Sequence, residues 1–228
     1  MLKVVSVPQG LRLRYEVYSL GTHLVDLHHS SILPTLEVHL DGVPPYVVTA
    51  FAAGGSLAQR IRQHASHGLP LSDAFAIIAQ VGQALTYLHQ QHIIHRGVQP
   101  ASIVFDSAGK SLLTGFDLAM LAPTSGHNLP SYQIGATHYM ALEQSKGQVS
   151  VQCDQYALGA IAYELCTGRR LKDAGSLASS GQQRPRPPRQ LNSALPIQAD
   201  RAILRAVATN PDLRYDTVEA FVRALGTL

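Results

Sequence analysis

The alternation of apolar and polar positions divides the chain into a short strand-rich part and a longer helical part. Strand-like apolar runs are predicted at residues 1–7, 32–40 and 46–51. A looser helical pattern covers residues 11–27. Gly54 and Gly55 then interrupt the apolar pattern, and Ser56 is placed to cap a helix that runs to Gln63.

The clearest helix follows residue 73. Its apolar positions recur every three or four residues, at Phe75, Ile78, Val81, Leu85 and Leu88. This spacing predicts a helix with a buried stripe at the centre of a helical unit. Further elements are predicted as strands at 103–105 and 111–114 and as helices at 153–167, 197–209 and 217–225.

Two polar stretches separate these elements. Residues 122–135 form a long connection, which is typical of functional or mobile loops. Residues 182–190 read QQRPRPPRQ and predict an extended, proline-rich segment, which favours a plain loop over a docking motif.

Charge and composition exclude several classes of protein. The chain has 228 residues, 46% of them hydrophobic and 14% charged, with a formal net charge of +3. This composition favours one globular domain or two small lobes over a disordered chain. The densest basic cluster, residues 184–189, is not accompanied by aromatic residues, so nucleic-acid binding is not favoured.

The cysteines and the apolar runs indicate the cellular compartment of the protein. Cys153 and Cys166 fall in one predicted helix, which does not resemble a disulfide framework and favours a reducing cytosol. The N-terminal apolar run stops at Pro8, and no segment approaches the ~18 apolar residues of a membrane span. We therefore expect a cytoplasmic protein without a membrane segment.

Six short motifs in one order carry a resemblance to a known family. Residues 93–104 read IIHRGVQPASIV, which resembles the catalytic loop of protein kinases. Residues 46–57 resemble the hinge strand and the helix after it, residues 113–119 the DFG region, and residues 135–144 the APE region. Residues 154–159 resemble the helix under the catalytic loop, and residues 210–214 resemble the motif before the last helix. Because their order and spacing cover almost the whole chain, the sequence is identified as similar to a bacterial serine/threonine protein kinase domain.

The resemblance implies a bilobal α+β fold with a reduced N-terminal sheet lobe and a mainly helical C-lobe. It assigns residues 1–51 to a partial N-lobe with the hinge strand and residues 52–228 to the C-lobe. Lys3 resembles the nucleotide-binding lysine, and its carboxylate partner is either Glu16 or a position near Leu20. The family's Gly-rich loop precedes this lysine, so the sequence begins partway through the N-lobe.

The positions that carry kinase chemistry differ from the family pattern. Gly97 stands where the resemblance places the catalytic base, and Gln99 stands where it places the loop lysine. Ser102 replaces a magnesium-binding asparagine, and Gly115 replaces the main magnesium-binding aspartate. Asp117 lies two residues further on, ~6 Å away along an extended chain, and is disfavoured as a substitute because a magnesium bond is only ~2.1 Å long.

The positions that hold the kinase fold together are preserved by the same comparison. The resemblance assigns His95 and Phe116 to the family's internal spine and makes Asp154 the brace of the catalytic loop. It pairs Glu143 with Arg214 in a buried ion pair, and it makes Arg96 a candidate partner for a phosphate group. The histidines at 89, 92 and 95 invite a metal-site interpretation. That interpretation is disfavoured, because His95 belongs to the loop and the other two have no cysteine or carboxylate near them in the sequence.

The sequence therefore favours a pseudokinase that acts by binding proteins, with an active kinase as one candidate partner, and so regulates signalling. ATP binding through Lys3 is left open, and magnesium is not expected to be held. Two alternatives remain: a weakly active ATP-dependent serine/threonine kinase that uses Asp117, and a non-functional remnant of a kinase.

Overall fold

A small antiparallel sheet forms the N-terminal part of the computed structural model, which describes residues 2–4, 21, 23–39, 46–64, 68–116, 119–121, 138–173 and 185–226. Its strands are β1 (Leu2–Val4), β2 (Thr35–His39) and β3 (Tyr46–Thr49), in the order β1-β3-β2. Lys3 pairs with Val47 across β1 and β3. Each of the three predicted strand runs thus contains a strand.

The connection after β3 ties the sheet to the helical part. The N–H of Gly54 donates to the Phe105 carbonyl at 2.8 Å, and the N–H of Phe105 donates to the Gly55 carbonyl at 2.9 Å. Helix α1 (Leu57–Gln63) begins directly afterwards. Ser56 caps it in a reciprocal capping box with Gln59, which confirms the predicted start and end of this helix.

The helical part is built around α2 (Leu71–Gln90), which packs against α4 (Val151–Thr167) and α6 (Val218–Ala224). Four of the five predicted stripe residues of α2 are fully buried, and Phe75 is half-buried. Two further helices are α3 (Leu142–Ser145) and α5 (Ile197–Ala206). None of the described helices combines the length and the apolar composition that crossing a bilayer requires.

Two short strand pairs shape the region between α2 and α3. β4 (Ile93–Ile94) pairs with β7 (Met120–Leu121), and β5 (Ile103–Phe105) pairs with β6 (Ser111–Leu113). Both pairs are antiparallel. The loop between β4 and β5 is therefore held at both ends by a strand.

Two sequence predictions differ clearly from the structure. The helix predicted over 197–209 ends at Ala206. Asn210 has an extended backbone, as a residue before proline favours, and it caps a short 3₁₀ turn at Pro211–Leu213. The proline-rich segment is not extended throughout, since Pro188–Gln190 forms a second 3₁₀ turn. Most of the helix predicted over 11–27 and the connection at 122–135 lie outside the described residues, although residues 23–25 are helical.

The close approach of the hinge to β5 leads to a stability prediction. A Cβ added at Gly54 would lie 2.6 Å from the Asp106 carbonyl oxygen and 2.7 Å from the Phe105 Cβ, so Gly54→Ala should destabilise the fold by about 1–3 kcal/mol. At Gly97 the nearest atoms are 3.6 Å away, so Gly97→Ala is the matched control and should be nearly neutral. Urea unfolding of both variants checks this, and equal midpoints would contradict the predicted clash.

Candidate functional site

The loop after β4 carries the first candidate residue, His95, which is fully buried. Its Nε2 lies 3.0 Å from the Thr114 carbonyl oxygen, which can only accept, so Nε2 carries the hydrogen and donates. Its Nδ1 accepts the N–H of Gly97 at 3.1 Å, and its ring lies 5.1 Å from the ring of Phe116. Both ring nitrogens are thus engaged in holding the loop, and the His95 ring packs against the ring of Phe116.

Asp154, on the first turn of α4, braces the same loop from below. Its Oδ2 accepts the backbone N–H of His95 at 2.9 Å, and its Oδ1 accepts that of Arg96 at 2.8 Å. The Nε2 of His89 lies 2.9 Å from Oδ2 as a third donor. Burial alone would raise the pKa of this carboxyl, but the hydrogen bond from the His89 side chain and that from the His95 backbone N–H hold it below its ordinary value.

Arg96 adopts a backbone conformation that needs this support. Its φ is +63°, in the left-handed region, which costs a residue other than glycine about 1–3 kcal/mol. Asp154 holds the Arg96 N–H, and the Nε2 of Gln144 donates to the Arg96 carbonyl at 2.8 Å. The surrounding helices therefore fix both ends of this residue.

A buried ion pair lies below the loop, where it joins α3 to the segment before α6. The Nη1 and Nη2 of Arg214 lie 2.6 and 3.1 Å from the two carboxylate oxygens of Glu143. Arg214 also donates to the carbonyls of Ala208 and Gln152. This bidentate geometry is the strongest form of such a pair.

The central part of the loop carries no carboxylate. Gly97 and Gln99 are half-buried, and the buried hydroxyl of Ser102 lies 3.1 Å from the Gly97 carbonyl and 2.9 Å from the Gln99 carbonyl. The same hydroxyl oxygen accepts the N–H of Gln99 at 3.0 Å. Ser102 therefore ties the loop to itself.

Gly115 completes the site from the opposite side. Its carbonyl oxygen is 3.6 Å from the place where a Gly97 side chain would begin, so the two glycines lie next to each other. Its φ is +86°, a left-handed conformation in which glycine has no steric penalty. Asp117 lies outside the described residues, and for Lys3 only the backbone in β1 is described.

Comparison with known proteins agrees with this arrangement. The family model for the protein kinase domain matches residues 14–200. The chain belongs to the protein kinase family. Serine/threonine-protein kinase PknB of Mycobacterium leprae is 32% identical over 201 residues, and serine/threonine-protein kinase PrkC of Bacillus subtilis is 30% identical over 198 residues. These alignments cover 84% and 85% of this chain but only 32% and 30% of those proteins.

A solved structure shows the same kinase fold. The kinase domain of PknI from Mycobacterium tuberculosis superposes with a TM-score of 0.77 at 26% identity, covering 99% of this chain and 84% of that domain. The predicted α+β kinase fold is confirmed. The division into residues 1–51 and 52–228 stays a prediction.

Magnesium, which kinase chemistry uses, does not fit the side chains that the structure describes here. Magnesium is bound through carboxylates together with phosphate oxygens. In the described part of the kinase site, positions 97 and 115 have no side chain and the Ser102 hydroxyl bonds to the loop itself. These positions offer no anionic ligand for a divalent ion.

Sequence reasoning missed two polar contacts in this kinase scaffold. His89 was expected to have no carboxylate near it, yet it lies 2.9 Å from Asp154, 65 positions away, because α2 and α4 pack together. The hydroxyl of Tyr139 donates to buried Glu164, whose pKa is raised by its burial. The available signal was that Asp154 and Glu164 are the only charged residues of the apolar-rich helix α4, and buried acids need partners.

Proposed function

We propose that this chain is a kinase-fold domain that does not transfer phosphate efficiently and that acts by binding proteins, with an active kinase as one candidate partner. The proposal combines two observations. The residues that hold the kinase fold together are present, and Gly97, Ser102 and Gly115 carry no charged side chain at the positions of the base and the magnesium ligands. The scaffold consists of His95, Asp154 and the Glu143–Arg214 pair, with the contacts described above.

The observation that carries the proposal is the adjacency of Gly97 and Gly115. General-base catalysis contributes about 10²–10⁴ to a rate, and a glycine at the base position supplies none of it. The neighbouring glycine removes the main carboxylate ligand for magnesium from the same place. Both losses affect the transfer of the same phosphate group, so together they should lower the rate of phosphate transfer.

The experiment is a phosphate-transfer assay on the purified chain with ATP and Mg²⁺ or Mn²⁺, using a serine/threonine peptide mixture as acceptor. We expect no turnover above a heat-inactivated control. Turnover that disappears in an Asp117→Ala variant would contradict the proposal and favour the second candidate, a weak serine/threonine kinase that uses Asp117. A kinase remnant without any role would show neither turnover nor an effect on a partner kinase.

The partner and the location are also proposals. The partner is tested by adding the chain to an active serine/threonine kinase and measuring the change in that kinase's rate against an equal amount of an unrelated protein.

A cytosolic location is supported by Cys153 and Cys166, which are both free, buried thiols. Burial raises the pKa of each to about 12, so neither is suited to redox chemistry at neutral pH.

A further inference from the structure

A cavity of about 390 Å³ lies between α2, α6 and the loop before β2. Small-molecule sites in proteins have volumes of ~300–1,000 Å³, so this cavity is large enough for one. Buried Gly82 and Val222 bring the two helices together here, since a Cβ added at Gly82 would lie only 2.4 Å from the Val222 Cγ2. Gly97, Ser102 and Gly115 do not line the cavity, so it is separate from the kinase site.

Two stacked rings form one wall of the cavity. The rings of His29 and Tyr87 have centroids 5.2 Å apart and planes inclined by 26°. The His29 Nδ1 accepts the N–H of Ser31 at 3.1 Å, so Nε2 carries the hydrogen. Burial, together with the charge of Lys110, lowers the pKa of His29, so the ring is uncharged at neutral pH. The Tyr87 hydroxyl oxygen accepts the N–H of His28 at 3.3 Å, which leaves its own hydrogen to donate.

Uncharged polar side chains follow the α2 side of the cavity. Gln83, Thr86 and Gln90 line it at spacings of three and four residues, on one face of the helix. Within the described part of the chain, these three side chains make no hydrogen bond. Gln83 and Gln90 are ~10 Å apart along the helix axis. A ligand that reaches both amides must therefore carry hydrogen-bonding groups at both of its ends.

The charges at the cavity favour an uncharged ligand. Glu219 is the one acid or base with a full charge among the described residues that line it. Its Oε1 lies 2.8 Å from the Arg223 Nη2, so this carboxylate already has a counter-ion and the pair is neutral as a whole. The described lining residues thus offer no free positive charge for a phosphate or carboxylate, and little net negative charge for an ammonium group.

The hydrogen-bonding groups disfavour an apolar ligand. Such a ligand would remove water from the amides of Gln83 and Gln90 without replacing their hydrogen bonds. Each amide presents both a donor and an acceptor, and a hydroxyl group is also both. A ligand with several hydroxyl groups can therefore bond to the amides and to the Thr86 hydroxyl, while its C–H groups pack on the two rings.

We propose that this cavity binds an uncharged, hydroxyl-rich ligand of about the length of a disaccharide. The inference goes beyond the proposed function and does not depend on it, because the loop positions that carry the proposed function do not line the cavity. It assigns a second binding site to the helical part of the chain.

The experiment titrates the isotope-labelled full chain with maltose, an uncharged disaccharide, and follows the side-chain amide signals of Gln83 and Gln90 by NMR. We expect saturable shifts of both signals with a dissociation constant of about 1 mM, a usual affinity for a ligand of this size. Glycerol is too short to reach both amides and should bind at least about tenfold more weakly. Glucose should bind more tightly than glucuronate, its anionic analogue, and glucosamine, its cationic analogue.

A designed variant tests the contact with the amides. Gln83→Ala combined with Gln90→Ala should weaken maltose binding by about tenfold, because each uncharged hydrogen bond contributes about two- to tenfold to affinity. Gln91→Ala is the matched control, since Gln91 is exposed beside Gln90 but does not line the cavity, and it should bind maltose as the wild type does. All three glutamines are exposed, so both variants should fold. The signals of maltose itself report binding in this comparison.

Three results would overturn the proposal: no saturable binding of maltose, equal affinities of the double variant and Gln91→Ala, or tighter binding of glucuronate or glucosamine than of glucose. Shifts spread over the whole surface instead of at the cavity would do the same. Phosphate transfer by the wild-type chain would contradict the proposed function alone, so the two proposals fail in different experiments.

Discussion

Replacing Arg214 by alanine is expected to lower the free energy of unfolding by about 3–5 kcal/mol, because it leaves a buried carboxylate without its partner. The Arg214 side chain is fully buried, and Glu143 is 8% exposed. The substitution also removes the donors to the carbonyls of Ala208 and Gln152. Urea unfolding, with the midpoint compared at a common slope, measures the loss.

A surface pair in the same chain provides the control. Arg223 and Glu219 form an ion pair of similar length, 2.8 Å, but their side chains are 67% and 55% exposed. Arg223→Ala should cost less than about 1 kcal/mol, because water screens the pair. If Arg214→Ala leaves too little folded protein to measure, Glu143→Gln gives a milder loss. Equal costs for Arg214→Ala and Arg223→Ala would show that burial of the pair does not matter.

Local signals in the sequence were sufficient for most of the elements. Ser56 was predicted to cap α1 because its hydroxyl can accept a backbone N–H three residues ahead, and Gln59 completes the cap in the structure. The apolar spacing of α2 was sufficient to predict a central buried helix. In these cases the deciding interactions lie within one or two turns of the chain.

Contacts between distant segments followed from the family resemblance or were missed. The resemblance paired Glu143 with Arg214, 71 positions apart, and placed Asp154 under the catalytic loop. It gave no partner for His89, since the contact with Asp154 depends on how α2 packs against α4. Periodicity describes one helix at a time and does not fix which polar side chains meet between two helices.

In the candidate site, too, the sequence did not show which residues lie next to each other. The sequence identified Gly97 and Gly115 as positions without side chains, but it did not show that they are neighbours or that Gly115 is left-handed. Those two facts decide which substitutions can restore a charge. The sequence also left open what Ser102 does, and the structure shows its hydroxyl bonded within the loop.

Asp154→Asn is expected to cost about 3 kcal/mol, because a buried donor left unsatisfied costs about 1–3 kcal/mol and two backbone amides depend on this carboxylate. Asparagine keeps the shape, but its NH₂ group faces one of the N–H donors that the aspartate accepts from His95, Arg96 and His89. The strained φ of Arg96 then loses one of its two supports. We expect faster hydrogen exchange at the amides of His95 and Arg96 than in the wild type.

The pH dependence separates the charge of Asp154 from its shape. Its pKa in the folded chain is below the ordinary value of 3.8, so its stabilising effect is fully present above that value and is lost as the pH falls through the folded pKa. The wild type should therefore lose this stabilisation below about pH 4, and Asp154→Asn should lack that component. Identical pH profiles for the two proteins would contradict the role given to the carboxylate.

His89→Asn is the matched control, since it removes the third donor and leaves both backbone amides bonded to Asp154. Its cost should be smaller than that of Asp154→Asn, at about 1 kcal/mol, and the exchange rates at His95 and Arg96 should change little. If His89→Asn is as damaging as Asp154→Asn, the imidazole rather than the two amides positions the carboxylate. The catalytic loop would then be held by a contact between α2 and α4, with the bonds from α4 to the loop depending on it.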